Sequence, residues 1–428
     1  MLFALFFGAG NLIFPVFLGQ NAGANTAWAA IGFLVTGVGL PLLGIVAMCY
    51  SGSESVQELA GRVHPVYGVI FSVMLYLAIG PCFAIPRTGT VTFEMAVAPF
   101  LSADMKETGL YIFAFLFFLV SWWFAITPSK LVGRIGKIIT PALLFFLAIL
   151  FIQTVISPMG SWQAPTKNYA DPVQALAQGF LDGYNTLDAL ASLAFAILVV
   201  QAVRLYGAKN EVETALSTLR SGFVAALCLG IIYIFLCNLG AESVSAIGMQ
   251  ENGAPVLVKS SQFYFGAFGV ALQGIIVFLA CFTTSVGLIT SCSMYFHSLC
   301  PKFSQKTWAT IFAVISFGVA LFGLTTIIVS AIPVLMFLYP LTISLMVLTF
   351  LHKLFGGSRT VYMTTTLLTL IPAFYDGLHT AKISLGSVDQ LMAAMPLYDY
   401  GLTWVPFSLF GLIVGWLMTL VVPSKETK

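Results

Sequence analysis

Residues 6–15, Phe6-Phe7-Gly8-Ala9-Gly10-Asn11-Leu12-Ile13-Phe14-Pro15, place two glycines and a proline inside an otherwise apolar segment. Glycine weakens the interior of a helix, and proline has no amide hydrogen to donate. The stretch therefore predicts a helix that stops and restarts. Such a break leaves backbone N–H and C=O groups without partners inside the helix.

The composition of the whole chain indicates where this break lies. Of 428 residues, 59% are hydrophobic and only 8% are charged, and the mean hydropathy is +0.99. Soluble proteins carry about 25% charged residues. The chain is therefore predicted to be an all-α integral membrane protein with lipid around it. A net charge of +2 gives no indication of nucleic acid as a partner.

At membrane depth, broken backbone is tolerated only where it lines a cavity and is satisfied by a ligand or an ion. The N–H groups at a helix start suit a carboxylate, and the carbonyl groups at a helix end suit a cation. Residues 6–15 thus predict a binding site made largely of backbone.

A bilayer core needs about 20 apolar residues per helix, and on that template the chain contains twelve predicted spans. They are 2–18, 27–48, 66–86, 109–126, 134–156, 173–203, 217–240, 266–297, 307–324, 328–352, 360–378 and 404–422. With this count, the loops on one face hold thirteen of the 18 lysines and arginines, and those on the other hold five. Because cytoplasmic loops collect these residues, both termini are predicted to be cytoplasmic.

A second interruption lies in the sixth span, where Gly183, Asn185 and two aspartates stand among apolar residues. An aspartate near the centre of a membrane helix costs about 2.5–3.5 kcal/mol on insertion scales and so should face an interior cavity. Asp182 is interpreted as lying near the outer membrane edge. Asp188, two turns deeper, is interpreted as functional: it would hold unwound backbone, a cation or the ammonium group of a substrate.

Two interrupted spans five positions apart, the first and the sixth, are typical of a transporter built from inverted repeats with its site at the midplane. The predicted organisation is a single transmembrane domain, 1–428, with one repeat in 1–156 and the second in 173–352. Helices 11 and 12 follow in 360–422. Only seven residues precede Gly8, so the expectation from sequence is that either the start is truncated or the first half-helix is unusually short.

The eighth span carries three consecutive hydroxyl residues, Thr283, Thr284 and Ser285. Hydroxyls in membrane helices usually bond back to a carbonyl one turn earlier and serve packing. Beside a broken helix, they also fit a cage for sodium, a hard cation that prefers oxygen ligands. The four histidines are scattered, which argues against a soft-metal site.

The third span ends with Pro81, Pro86 and Arg87, and Glu94 follows. Two readings of Arg87 remain open from the sequence. It is either an external gate residue paired with Glu94 or another acid, or an arginine that extends its head group to the membrane interface.

Several motifs together resemble the bacterial branched-chain amino acid:cation symporter family over essentially the whole chain. They are Gly8–Pro15, Thr36–Gly44, Ile79–Thr88, Thr127–Lys130, Gly183–Ala191 and Thr284–Leu288. The resemblance implies sodium-coupled uptake of leucine, isoleucine and valine across the cytoplasmic membrane. It also implies the five-plus-five inverted-repeat fold of the amino acid–polyamine–cation superfamily, called the LeuT fold.

The resemblance also implies site residues. The unwound first helix would bind the amino acid's carboxylate through Gly8, Ala9 and Gly10, with Phe6 beside them. Asn11, which follows that motif, would belong to a sodium site next to the substrate. A second sodium site would use carbonyls before the break and hydroxyls of the eighth span: Ala4, Phe7, Thr283 and Thr284, with Ser285 as an alternative ligand. The sixth helix would contribute Tyr184, Thr186 and Asp188, where its sequence breaks.

Two other functions remain open from the sequence. One is proton-coupled uptake or exchange of a different amino acid on the same fold, with Asp188 as the proton carrier. The other is a sensor that binds an amino acid without moving it. An enzyme is not expected, because the sparse polar residues at membrane depth supply no set of nucleophile, base and orienting group. Sodium is the only expected cofactor, and no obligate protein partner is indicated.

Overall fold

The computed structural model describes residues 3, 6–127, 131–205 and 211–421, which form helices and turns without a β-strand. The first ten α-helices are α1 (Ala9–Ala22), α2 (Thr26–Leu34), α3 (Leu40–Ser51), α4 (Val56–Gly61), α5 (Pro65–Leu77), α6 (Ala84–Ala96), α7 (Lys106–Ile126), α8 (Leu131–Ile156), α9 (Pro172–Asp182) and α10 (Asp188–Leu205). The remaining seven are α11 (Glu211–Ile247), α12 (Gly253–Leu299), α13 (Gln305–Ala320), α14 (Leu324–Leu351), α15 (Arg359–Thr380), α16 (Ser387–Ala393) and α17 (Trp404–Val421). The predicted all-α class is confirmed.

Six helical stretches in the described part of the chain are long and apolar enough to cross a membrane. They are Ala9–Ser51, Pro65–Phe100, Ala103–Ile126, Leu216–Ile247, Gly253–Leu299 and Leu324–Leu351. Two shorter apolar helical segments, Leu144–Ile156 and Trp404–Leu420, accompany them. Within the described residues, each of the twelve predicted spans falls on one or more helices, but the count of twelve crossings and the inverted repeats stay predictions.

Both predicted helix breaks are present. Gly8 is extended, with φ −124° and ψ −164°, and α1 begins at the next residue. Before the break, the Phe7 N–H donates to the Phe3 carbonyl at 2.8 Å. In the sixth span, α9 ends in a 3₁₀ turn, Gly183–Thr186. Leu187 then adopts a left-handed conformation with φ 65°, and α10 starts at Asp188.

The third predicted span is longer than the sequence indicated. After α5, a π-helical turn at Ala78–Cys82 bends the chain at Gly80, and α6 then continues to Ala96. Ten residues beyond Pro86, the predicted end of the span, are therefore helical, and Arg87 lies inside this helix. Its side chain is only 4% exposed. The reading of Arg87 as an interfacial, solvent-seeking arginine is wrong, because its head group is enclosed by protein.

The chain divides into two compact units. The first comprises residues 1–35, 76–187 and 225–329, and it contains the whole first break and the 3₁₀ turn of the second. Its helices approach one another closely at glycines. A Cβ atom on Gly19 would overlap the Cys237 carbonyl, and one on Gly240 would overlap the Val16 carbonyl. Since lipid provides no hydrophobic drive for helix association, such close packing holds membrane helices together.

The second unit comprises residues 36–75, 188–224 and 330–428. In it, α3 packs on α10, and α15 packs along α17. Small residues again make the contact: Gly411 and Gly415 of α17 lie against the backbone and side chain of Thr364. The Thr364 hydroxyl also donates to the Gly411 carbonyl at 3.0 Å.

Replacing Gly240 by leucine is expected to destabilise the folded protein in detergent by about 1–3 kcal/mol, because overpacking forces α11 away from α1. The control is Gly318→Leu on α13, where an added Cβ would meet no atom within 4 Å. Thermal unfolding followed by size-exclusion chromatography measures both variants. Equal stability of the two would contradict the close contact between α1 and α11.

Candidate functional site

The first turn of α1 is fixed by the side chain of Asn11. Its Oδ1 accepts a hydrogen bond from the Gly8 N–H at 2.8 Å, and its Nδ2 donates to the Tyr233 hydroxyl on α11. Asn11 is 1% exposed, and Tyr233 is also buried. The Asn11 side chain therefore connects the N-terminus of α1 to α11 through hydrogen bonds.

This arrangement refines the predicted carboxylate site. In the structure, the Gly8 N–H already has an acceptor in Asn11. The N–H groups of Ala9 and Gly10 lie in the first turn of α1, where no acceptor within the helix is available to them. The partial positive charge of the helix start lies at the same place. Binding of the substrate carboxylate by these amides stays a prediction.

One hydroxyl residue of α12, Thr284, lies beside the first break. A Cβ atom on Gly8 would stand 3.5 Å from both the Oγ1 and the Cγ2 of Thr284. Thr283 and Thr284 donate to the Ala280 carbonyl at 2.9 and 3.1 Å. Both bonds are the back-bonding that the sequence also allowed, and each hydroxyl oxygen keeps its lone pairs for a further partner.

Ser285 differs from its two neighbours. Its hydroxyl is fully buried, and among the described residues it has no hydrogen-bond partner. A buried polar atom without a partner is costly, and the lone pairs of this hydroxyl remain available to accept a further partner. Neutral oxygen atoms near a helix break suit a hard monovalent cation. Among the described residues, no cluster of three His, Cys, Asp or Glu side chains offers a metal site of another kind.

The remaining residues of the predicted cation site are only partly described. Phe7 is buried immediately before the break. Phe6, predicted beside the carboxylate site, is buried too. Ala4 lies outside the described residues, so its predicted carbonyl contribution stays a prediction.

The second break lies partly in the same unit. Its 3₁₀ turn, Gly183–Thr186, packs against α1. Tyr184 is fully enclosed, with its ring 5.6 Å from that of Phe180, and the Thr186 hydroxyl donates to the Gly183 carbonyl at 2.9 Å. Asp188 is buried at the start of α10 in the second unit, and its functional role stays a prediction.

The Asp182 carboxylate, at the end of α9, is held by hydrogen bonds from two neighbouring side chains. It accepts hydrogen bonds from the Tyr169 hydroxyl and, at 2.9 Å, from the Gln178 amide. Two neutral donors on its own side of the break hold this carboxylate in place. These two hydrogen bonds explain how the apolar helix accommodates the Asp182 carboxylate, and no ligand is needed for that explanation.

Arg87 joins the two breaks. Its Nη1 donates to the Asn185 carbonyl at 2.6 Å, and its Nη2 donates to the Thr186 carbonyl at 3.3 Å. Its guanidinium carbon lies 5.0 Å from the centre of the Phe14 ring on α1. A Cβ atom on Gly10 would stand 2.9 Å from Nη2. The guanidinium thus occupies the space between the first turn of α1 and the carbonyl groups that end the 3₁₀ turn.

Two of these residues were not assigned to the site from the sequence. Tyr233 reaches Asn11 from 222 residues away, and nothing in its own neighbourhood signals that contact. Arg87 did carry a signal, since a charged residue within a membrane segment is a functional-site candidate. Its placement at the predicted edge of the third span obscured that signal.

Comparisons with known proteins agree with the resemblance drawn from the motifs. The family model described as "Branched-chain amino acid transport protein" matches residues 1–422. The branched-chain amino acid permease BrnQ of Bacillus subtilis (strain 168) is 46% identical over 98% of this chain and 95% of its own length. The permease BraB of the same organism is 45% identical, with coverage of 100% and 96%. A branched-chain amino acid transport system 2 carrier protein of Pseudomonas aeruginosa is 40% identical, with coverage of 95% and 91%.

Two solved structures show the same fold at low sequence identity. One is MhsT in complex with L-phenylalanine, with a TM-score of 0.56, 17% identity and coverage of 98% of this chain and 96% of that one. The other is Mhp1, a nucleobase-cation-symport-1 family transporter in a closed conformation, with a TM-score of 0.61, 14% identity and coverage of 99% and 92%. Both agree with the predicted LeuT-type class of fold.

Proposed function

The chain belongs to the branched-chain amino acid transport protein family, and on that premise we propose that it takes up leucine, isoleucine and valine by sodium-coupled symport. The family consists of multi-pass membrane transporters rather than enzymes. The proposed setting is a bacterial cytoplasmic membrane, with both termini on the cytoplasmic side and transport by alternating access.

One observation supports coupling to a cation most directly. Gly8, the residue before α1, lies beside the Thr284 side chain of α12: a Cβ atom there would stand 3.5 Å from the Thr284 hydroxyl oxygen. Carbonyl groups before the break and hydroxyls of α12 are oxygen ligands of the kind sodium prefers. In the proposed mechanism, sodium bound there orders the first break, and the ordered amides of Ala9 and Gly10 then bind the carboxylate at lower entropic cost.

Linked binding of this kind is reciprocal. If sodium raises the affinity for leucine, leucine must raise the affinity for sodium by the same factor. Asp188, buried at the start of α10, is proposed to hold the unwound backbone or the substrate's ammonium group. The alternative role of Asp188 as a proton carrier predicts binding that is independent of sodium.

Binding of radiolabelled leucine to the purified protein, measured by scintillation proximity, tests this function. Sodium is expected to raise leucine affinity relative to potassium. Isoleucine should compete closely, and valine about tenfold or more weakly, because a methylene group is worth about 1–3 kcal/mol in an apolar pocket. Leucinamide, which lacks the carboxylate, should compete poorly. Equal binding in sodium and potassium would favour proton coupling, and equal competition by leucinamide would refute the amide site.

A further inference from the structure

The buried guanidinium of Arg87 contacts both helix breaks at once, and the proposed transport cycle leaves this residue without a role. On one side, it donates to the Asn185 and Thr186 carbonyls. On the other, it lies against Gly10 and over the ring of Phe14. All of these residues belong to the first unit.

The carbonyl side of this contact is electrostatically favourable. The turn Gly183–Thr186 ends a helical segment that begins at Pro172, and its last carbonyl groups lack partners within the helix. They carry the negative end of the helix dipole, where a cation is stabilising. A planar guanidinium has several fixed N–H donors and can bond two adjacent carbonyls at once. A mobile ion would have to lose hydrating water to bind the same carbonyls. Arg87 thus acts as a cation built into the second break.

The glycine side explains why α1 can approach this cation. A Cβ atom on Gly10 would stand 2.9 Å from Nη2 and 3.3 Å from the guanidinium carbon, both tighter than ordinary contact. The absence of a side chain at residue 10 is therefore what allows the first turn of α1 to rest against Arg87. The same turn carries the Ala9 and Gly10 amides.

We infer that Arg87 is a positioning residue that fixes the first turn of α1 against the carbonyl end of the second break, so that the ligand-binding amides are held in place before the substrate arrives. This inference rests on the proposed function, which identifies the ligand of these amides as the carboxylate of an amino acid. Arg87 acts through backbone geometry: Gly10 on one side, Asn185 and Thr186 on the other.

A double-mutant cycle tests the contact. Arg87→Gln is expected to lower leucine affinity about 10- to 100-fold, the range for losing buried, charge-assisted hydrogen bonds. Arg87→Lys keeps the charge and should restore part of that loss. Gly10→Ala should cost about tenfold when Arg87 is present and little in the Arg87→Gln background, where the shorter side chain leaves room for the methyl group. Equal costs of Gly10→Ala in both backgrounds would overturn the inference.

Hydrogen exchange of the ligand-free protein separates this inference from the proposed function. Arg87→Gln should speed exchange in peptides covering residues 8–14 and 183–187, and leave α17 unchanged. The matched control is Arg359→Gln, which removes another arginine that donates to a backbone carbonyl, that of Val63. Unchanged exchange at both breaks would refute the positioning role. If the wild-type protein does not bind leucine, the proposed substrate fails, and the exchange result still decides whether Arg87 fixes the breaks.

Discussion

Replacing Asn11 by alanine is expected to lower sodium-dependent leucine uptake about 10- to 100-fold. The change removes the acceptor of the Gly8 N–H and the donor to the Tyr233 hydroxyl in one step. Each buried polar group left without a partner costs about 1–3 kcal/mol. The first turn of α1 then loses its connection to α11, and the Ala9 and Gly10 amides lose their fixed positions.

The matched control is Asn21→Ala on the same helix. The Asn21 side chain donates at 2.9 Å to the carbonyl of Phe17, one turn earlier in α1, and takes no part in the break. Initial rates of leucine uptake, normalised to the amount of reconstituted protein, should fall for Asn11→Ala and stay near the wild-type rate for Asn21→Ala. Similar rates for both variants would show that the Asn11 side chain does not organise the site.

Replacing Thr284 by valine should weaken the apparent affinity for sodium about 10- to 100-fold, a loss of about 1.4–3 kcal/mol at one oxygen ligand. Valine keeps the branched shape of threonine and removes only the hydroxyl. At high sodium concentration, leucine uptake should approach the wild-type rate, because the proposed carboxylate site is intact. The measurement is the sodium concentration that gives half-maximal uptake.

Thr290→Val serves as the control for this change. The Thr290 hydroxyl makes the same kind of back-bond, to the Val286 carbonyl at 2.8 Å on the same helix, farther along α12 than the first break. Its half-maximal sodium concentration should match that of the wild type. If Thr284→Val also leaves it unchanged, the cation does not bind at Thr284.

The two breaks could be predicted from sequence because their causes are local. Gly8 lies where the first helix is interrupted, and Gly183 begins the turn that interrupts the second. Leu187 was not predictable in the same way. Its left-handed backbone is strained for a residue with a side chain, and the surrounding structure rather than the sequence imposes it.

Contacts between distant parts of the chain account for what the sequence did not show. From the sequence, two prolines and an arginine predict that the third span ends at Pro86. In the fold, the carbonyls of the second break accept the arginine's hydrogen bonds and make its burial possible. The resemblance places Asn11 at a cation site, and its hydrogen bond to Tyr233 emerges only when α1 and α11 meet.

Uptake of radiolabelled leucine into proteoliposomes, driven by an inward sodium gradient and compared with a potassium gradient, tests the central claim most directly. Leucine is expected to accumulate with sodium, to be displaced by excess isoleucine or valine, and to accumulate little with potassium. Leucine accumulation at the same rate in both gradients would contradict sodium coupling. The absence of both uptake and leucine binding would contradict the proposed function as a whole.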